Sequence, residues 1–517
     1  MQDLSPYFSN LDRNVFALRN LSPTLAGALF SRYSRTEKSL REVFAEEFLD
    51  QASSVVPATP STADDQAQAF FQRVLVGYGD ESVAELASAH LAAEGISMLA
   101  AKAIQDSRIG LSFLEKSTRY VRFDRRDKEG HFSYFRNPFA AGQHIYTQAA
   151  DYLFNAYSSL IEPLTQALRQ ANPQQEGETQ RAWEQATRAS ALDLLRGLLP
   201  AGTLTNVGIF GNGRAFEYLI AKLAASELDE CRQLGQALHQ ELSAVIPVFV
   251  ARAYDERYWV PISAALARSR DHLRTLSPRP RALDALGPRV RLLDYPGEDS
   301  ALRALVSAAL FPESTLPLDA LPDLDFDLVL SDLLASRVNR RYRLPRAFEH
   351  VSYTFELVAD YGAFRDLHRH RLLTQDRQLL GIDLGWGLPE PLLRLGLHAP
   401  YRKAIAKAEE AYRTLERSGT SPALLQYLVP MAFRLRWYFK VSLRELVYLC
   451  ELRTTTQAHP NYRWLAQRMW QHVLTVHPRL ASCGQFIDLA SGSELARRQS
   501  ETAIARKLSS LESPPHA

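Results

Sequence analysis

A chain of 517 residues, 46% hydrophobic and 10% aromatic, reads as globular and long enough for two domains or more. Its formal net charge of +2 speaks against a broad nucleic-acid-binding surface but leaves room for a local basic pocket. The three cysteines, Cys231, Cys450 and Cys483, show no paired spacing, which excludes a disulfide scaffold and a cysteine zinc site and fits a reducing cytoplasm.

Met1 to Arg13 has no basic start followed by an apolar stretch, so no signal peptide is expected. No apolar run approaches the roughly 20 residues that span a bilayer, and a soluble cytoplasmic protein is the expectation. Ser53 to Asp65 is a Ser/Pro/Ala/Asp loop without periodicity. Glu85 to Ser107 is Ala-rich and ambiguous between strand and helix; strand then helix is assigned by analogy with the second half. Asn172 to Glu178 is a polar break, and Ala215 to Ile246 is read as one long amphipathic helix stopped by Pro247. Residues 266–288, where prolines alternate with basic residues from Ser269 on, form the expected linker. Val290 to Leu293 then opens a new apolar segment.

In the second half, His350 to Val358 alternates as a strand, with Val351, Tyr353, Phe355 and Leu357 on one side. Gly362 breaks the run, and a helix is expected through Arg371. Ser442 to Leu452 and Tyr462 to Val476 carry apolar residues every three or four positions and read as helices, and the tail from Ser509 is expected to fray.

Three segments carry chemistry. On a helix, Asp366, Arg369 and His370 share one face, with Arg371 close by, and offer a guanidinium fork and an imidazole to an anionic or carbonyl-rich ligand. A solvated basic helix end, favoured by the dipole, is the other reading. Helical spacing points His368 and His370 apart, so no metal site is expected there. Glu115-Lys116-Ser117-Thr118-Arg119-Tyr120 gathers a carboxylate, two hydroxyls, a guanidinium and a phenol, which suits a phosphate cradle or an ordinary surface turn. Gly208 to Arg214 reads as a plain Gly turn or as a helix start with Arg214 facing a phosphate; no βαβ context supports a dinucleotide loop.

The chain also repeats itself. Ser82-Val83-Ala84-Glu85 corresponds to Arg346-Ala347-Phe348-Glu349, and Ala103 to Ile109 corresponds to Arg365 to Arg371. Leu198-Leu199-Pro200 corresponds to Leu428-Val429-Pro430, followed at equal distance by Arg214 and Arg444. The offset of this last anchor is shorter by roughly thirty residues, so the first copy holds an extra segment near its middle. Expected boundaries are 1–265 for the first repeat, 266–288 for the linker and 289–505 for the second repeat.

In order and spacing these segments resemble the flavin-dependent thymidylate synthase family, once per half. That family carries an Arg-His-Arg at a helix end, a Glu-x-Ser-x-Arg-Tyr string, a Leu-Pro, an Asn-x-Arg and a final Leu-Arg. The resemblance implies an α+β fold, mostly helical with a small antiparallel sheet in each half, duplicated in tandem. The first half keeps Glu115, Ser117, Arg119 and Tyr120, Arg196 before Leu-Pro, and Asn212 with Arg214. Its Arg-His-Arg has become Ser107-Arg108-Ile109, and its final Arg is Leu223. The second half keeps Arg369, His370, Arg371, Arg444 and Arg453. There Arg377 to Ile382 replaces the nucleotide string, Ser442 replaces the Asn and Gln426 the nucleotide-binding Arg; the family's first-turn histidine is Asp80 in one half and Leu344 in the other.

By resemblance, Ser117 and Arg453 are the catalytic positions, with Arg453 at the uracil carbonyl. Glu115, Ser117, Arg119, Tyr120, Arg196, Arg369 and Arg453 bind the nucleotide. Arg369, His370, Arg371, Asn212, Arg214 and Arg444 bind FAD, whose turns Glu85 and Glu349 order unless they are capping or buried carboxylates. The implied reaction is methylation of dUMP to dTMP, with methylenetetrahydrofolate and NADPH as co-substrates. It would run at a composite site using the string of the first half and the Arg-His-Arg of the second, in a homodimer imitating the family's tetramer. One-carbon transfer to another pyrimidine, and a non-catalytic nucleotide- or flavin-binding scaffold, are the alternatives.

Overall fold

The computed structural model describes residues 3–34, 36–49, 85–253, 287–313, 325–492 and 497–512, with isolated positions between 257 and 273 and residue 495. The loop Ser53 to Asp65, Asp80, the anchor Ser82 to Ala84 and nearly all of the linker 266–288 lie outside the described residues. The contacts divide the chain into two compact units, Met1–Lys116 with Leu204–Arg279, and Ser117–Thr203 with Pro280–Ala517. The middle of the first repeat thus packs with the second repeat.

In the first unit, β1 (Ser88–Ser97) runs into α1 (Met98–Gln105), and β2 (Leu111–Glu115) follows. The strand-then-helix assignment for Glu85 to Ser107 holds. Ser97 makes the switch: its hydroxyl accepts from the Ala100 N–H at 3.0 Å and donates to Glu230 at 2.6 Å. The chain leaves as α2 (Gln143–Ala171) and α3 (Gln180–Leu195) and returns as β3 (Leu204–Asn212), the central strand of an antiparallel β1-β3-β2 sheet. The Gly208 to Arg214 segment is therefore neither turn nor loop. Gly211 sits opposite both Ala89 and Leu111, and a Cβ there would come 2.2 Å from the Leu111 side chain, so the glycine permits the strands to close. The long helix expected over Ala215 to Ile246 is two, α4 (Gly213–Ala224) and α5 (Asp229–Val245). Ser226 ties the break between them by accepting from the Leu228 N–H, and apolar period alone does not reveal such a corner.

The second unit repeats the connectivity. After β4 (Arg289–Asp294), β5 (Ser352–Asp360) leads into α6 (Tyr361–Leu367), then β6 (Thr374–Arg377), α7 (His398–Arg417), the short α8 (Pro422–Leu425), β7 (Arg434–Ser442), α9 (Leu443–Arg453) and α10 (Pro460–Val476). The antiparallel sheet has the order β4-β5-β7-β6, and its buried face is the one the alternation predicts, Tyr353, Phe355 and Leu357. Asp360 and Ser442 cap α6 and α9 as Ser97 and Asn212 cap α1 and α4. The final helix, α11 (Arg498–Glu512), is tied to the polar break after α2 by Arg498, which pairs with Glu178 at 3.2 Å and donates to the Pro173 carbonyl at 2.6 Å.

Within this unit the two Leu-x-Pro anchors pair with each other. Pro200 and Pro430 form an isolated antiparallel bridge. Ala201 N–H donates to Val429 O and Met431 N–H to Leu199 O, both at 2.9 Å; Gly202 to Tyr427 and Ala432 to Gly197 follow at the same distance. Each bond is the image of another under exchange of the anchors, so a local two-fold axis passes between the prolines. The long helices α2 and α7 pack against one another beside it. The extra length of the first copy is not a loop: α3 has 16 residues where α8 has 4. Among the described residues no helix is long and apolar enough to cross a membrane.

Candidate functional site

The site grows from the last turn of α3 and the ends of α6, α9 and α10, all in the second unit. The turn after β2, residues 117–121, is closed by the Val121 N–H on Ser117 O, and Ser117 Oγ accepts from the Arg119 N–H at 3.2 Å. It delivers Arg119 to Asp193 of α3 in a bidentate pair of 2.7 and 2.5 Å, with Tyr462 Oη 3.2 Å from its Nη1. Burial opposes the charge of Arg119, but Asp193 outweighs it and holds the guanidinium above its ordinary pKa. Three residues on, at the C-cap of α3, Arg196 is 4% exposed and reaches Asp366 at 3.0 Å. Burial alone would raise the Asp366 carboxyl; Arg196, Arg369, Arg119 and Arg453 together hold it well below the usual range. Four guanidiniums drawn from both repeats thus favour the charge on one buried carboxylate, with Arg196 in direct contact.

The expected helical face of Asp366, Arg369 and His370 does not form. Helix α6 stops at Leu367, and 368–370 turn away, leaving Arg369 and Arg371 exposed and His370 buried. His370 instead lies between Glu445, 3.0 Å from Nδ1, and Arg453, whose Nε donates to Nε2 at 2.9 Å. Because a guanidinium only donates, Nε2 carries the lone pair and Nδ1 the proton. Burial lowers the His370 pKa, Glu445 opposes this and Arg453 adds to it, so the ring is neutral near pH 7. Glu445–His370 orients Arg453 by its Nε and leaves both Nη groups for a ligand.

His459 caps α10, its Nδ1 accepting from the Asn461 N–H at 3.2 Å. Burial and Arg196 bring its pKa down to about 3. Since the folded value lies below the ordinary 6.5, the unfolded chain takes up the proton first, and stability falls as pH drops from 6.5 toward 3. Between pH 6.5 and 5 the wild-type chain should lose about 2 kcal/mol more than His459→Asn, at ~1.4 kcal/mol per unit. Urea denaturation at the two pH values checks this; parallel losses in both proteins would refute it.

Two cavities flank the cluster. A pocket of about 250 Å³ gathers Glu349, Arg444, Arg337, Arg340, Arg343 and Tyr448. Arg444 donates to Leu344 O at 2.6 Å and pairs with Glu349 at 2.7 Å, as Arg214 pairs with Glu85 at 3.0 Å in the first unit. Glu451, 2% exposed on its floor, is bound by Arg337 through Oε2 while Oε1 has no hydrogen-bond partner among the described residues. A basic rim over an orphaned buried acceptor matches a phosphate-bearing group with hydroxyl or amine donors, so these residues fit one nucleotide half of a flavin dinucleotide. The second cavity, about 1150 Å³, lies across the wall formed by Asp193 and Arg196.

Of the residues singled out in the sequence, Ser117, Arg119, Tyr120, Arg196, Arg369, His370, Arg371, Glu349, Arg444 and Arg453 belong to the second unit; Glu85, Glu115, Asn212 and Arg214 belong to the first. Glu115 is buried against Lys102 and Gln105, each 3.1 Å away, and Asn212 accepts from the Ala215 N–H as the cap of α4. Sequence reasoning missed Asp193, Glu445, His459 and Tyr462. The Asp193/Arg196 and Ser442/Glu445 spacings were visible, but Ser-x-x-Glu signals a helix cap rather than a histidine partner.

The family model described as "Thymidylate synthase complementing protein" matches residues 33–248 and 329–479. A "UPF0159 protein" of Chlamydia muridarum is 40% identical over 517 residues, covering 96% of this chain and 96% of that protein. A flavin-dependent thymidylate synthase of Mycobacterium sp. (strain KMS) is 34% identical over 108 residues, 21% of this chain and 40% of the relative. The crystal structure of a UMP/dUMP methylase from Streptomyces cacaoi aligns at 19% identity with a TM-score of 0.33, covering 40% of this chain and 97% of that one, a likeness too slight to argue from.

Proposed function

Because the chain belongs to the flavin-dependent thymidylate synthase family and is a thymidylate synthase-like methyltransferase, we propose that it methylates dUMP to dTMP at a composite site built from two tandem copies of the family fold. The observation that carries this reading is the meeting of Arg119, Asp193 and Arg196, from the first matched segment, with Asp366, His370 and Arg453 from the second. Each repeat has lost what the other retains.

The four guanidiniums outnumber Asp193 and Asp366 by two, or by one when Glu445 behind His370 is counted. That excess suits a phosphomonoester, which carries about −1.5 to −2 at pH 7. Arg119 and Ser117 take the phosphate, with Tyr120 and Arg196 beside it, and Arg453, oriented through His370, donates to a uracil carbonyl. Such preoriented donors stabilise charge that develops on the ring. FAD would be held by Arg444, Arg369, Arg371 and the Glu349 turn. When bound and reduced by NADPH it supplies hydride, and methylenetetrahydrofolate supplies the carbon. Glu85, Asn212 and Arg214 form the first unit's counterpart of the Glu349–Arg444 turn, Glu115 is the carboxylate of the string the first half keeps, and a homodimer would bring two such chains into a four-copy arrangement.

Tritium release from 5-tritiated deoxyuridylate, with FAD, NADPH and methylenetetrahydrofolate present, tests the proposal. Release should vanish in Arg119→Ala and in Arg371→Ala, with nucleotide or flavin binding lost in each. Normal binding in both variants would sink the composite site. No release from a flavin-loaded wild type would redirect the reading to another pyrimidine, and no release without flavin to a non-catalytic scaffold.

A further inference from the structure

Arg497 and Arg498 stand side by side at the start of the last helix, and their surroundings differ. Arg498 is fully engaged: it pairs with Glu178 at 3.2 Å and donates to Pro173 O at 2.6 Å and to Asn172 O at 3.4 Å. These bonds fasten α11 to the break between α2 and α3. Arg497 fastens nothing of this kind. It is 7% exposed, and its Nε and Nη1 have no hydrogen-bond partner among the described residues. Its guanidinium lies instead 4.1 Å from the centre of the Tyr120 ring. A buried cation whose donors are unmet is costly, and an apolar side chain of similar volume would fill the same place more easily. What the guanidinium adds is its hold on the ring, a cation–π attraction that strengthens where water is excluded.

Tyr120 needs such a partner. It follows Arg119 on the turn 117–121, and while Arg119 is fixed by Asp193, Tyr120 is 60% exposed and its amide reaches Ser117 O only at 3.4 Å. A ring so exposed has several staggered rotamers open to it unless something holds one of them. We propose that Arg497 is a positioning residue of the nucleotide site, holding the Tyr120 ring in one rotamer beside Arg119 so that the turn is ordered before the nucleotide arrives. The inference rests on the nucleotide reading of the neighbouring cluster and adds a residue to it. Arg497 lies outside what the family model covers, since the matched residues end at 479. Its own place is secured from both sides. Leu495, two residues before it, is 3% exposed, and α11 after it packs along α3, the helix that carries Asp193. Arg119 is thus braced by α3 itself, and Tyr120 by the segment that α3 supports. Ordering the ring in advance removes an entropy cost from binding, so the gain appears as affinity.

Titration calorimetry of the full-length protein with dUMP reads this directly. Arg497→Met, which keeps the length of the side chain and removes its charge, should weaken dUMP about fivefold, the size of a partly desolvated cation–π contact. Arg497→Lys keeps a cation over the ring and should restore affinity to within about twofold of wild type. Tyr120→Leu should weaken dUMP as much as Arg497→Met does. Adding Arg497→Met to Tyr120→Leu should weaken it no further, because the two side chains act as one unit. A cation that merely supports the fold would give the same loss in both backgrounds, without rescue by lysine. Wild-type affinity in Arg497→Met, or equal losses with and without the Tyr120 ring, overturns the proposal and leaves the nucleotide site standing. Should Arg497→Met not fold, Tyr120→Leu, at an exposed position, decides alone: a loss of that size upholds the proposal and wild-type affinity refutes it. A wild-type protein that binds no dUMP refutes the nucleotide reading itself, and this role of Arg497 with it.

Discussion

Replacing Arg119 by alanine is expected to weaken dUMP binding by about 100-fold or more and to cost the fold about 3–5 kcal/mol. Both effects come from one geometry. The Arg119 and Asp193 side chains are 11% and 10% exposed, so removing the guanidinium strands a buried carboxylate. Adding Asp193→Asn should return most of the stability, because a neutral amide does not require a counter-ion in a desolvated place. It should not return binding, since the phosphate would still lack the Arg119 cation. Calorimetry with dUMP and urea denaturation of the single and double variants separate the two consequences. Wild-type dUMP affinity in Arg119→Ala would remove the phosphate role, and unchanged stability would show that Asp193 finds another partner.

A loss of comparable size is expected in the first unit from Lys102→Met. Lys102 and Glu115 are 0% and 1% exposed in their side chains, 3.1 Å apart, with Gln105 joining both. Breaking such a pair from one side costs about 3–5 kcal/mol, whereas replacing both members by apolar residues of similar volume is near neutral. Lys102→Met with Glu115→Leu should therefore refold to nearly wild-type stability. The double variant also settles the job of Glu115. If it serves the core, the double variant binds dUMP normally; if it serves the nucleotide, binding stays lost after stability returns.

Much of the second repeat could be read in advance because its residues answer to local rules. Tyr353, Phe355 and Leu357 alternate, and a strand with one buried face follows. The starts read at Ser442 and Tyr462 fall within two residues of where α9 and α10 begin. The Arg-His-Arg segment was identified as chemistry but given the wrong local geometry. No glycine or proline stops the chain between Arg365 and Arg371; α6 ends at Leu367 where His370 finds Glu445 and Arg453, partners 75 and 83 residues away. Local pattern carries no information about such distant partners. The Gly208 to Asn212 run failed for the opposite reason. Three glycines signal a turn, yet Gly208 and Gly211 lie within β3, where Gly211 lets Leu111 approach, and Gly213 opens α4 at the helix start that is the other reading of the segment. Asp193 and His459 sit on helices whose sequence shows only amphipathic period, and only tertiary packing reveals that they face arginines.

The bridge between Pro200 and Pro430 bears on how these sequences were free to change. In a symmetric assembly of identical subunits, every substitution at a two-fold axis is met by its own copy. Here the two sides of the axis are separate stretches of one polypeptide, so each can vary while the other stays constant. Gln426 accordingly stands on one side of the axis where Arg196 stands on the other. Covalent linkage also fixes the local concentration of one side against the other, whatever the dilution of the protein. The arginine cluster of this unit should accordingly assemble in a single chain, with its occupancy set by ligand concentration and not by protein concentration.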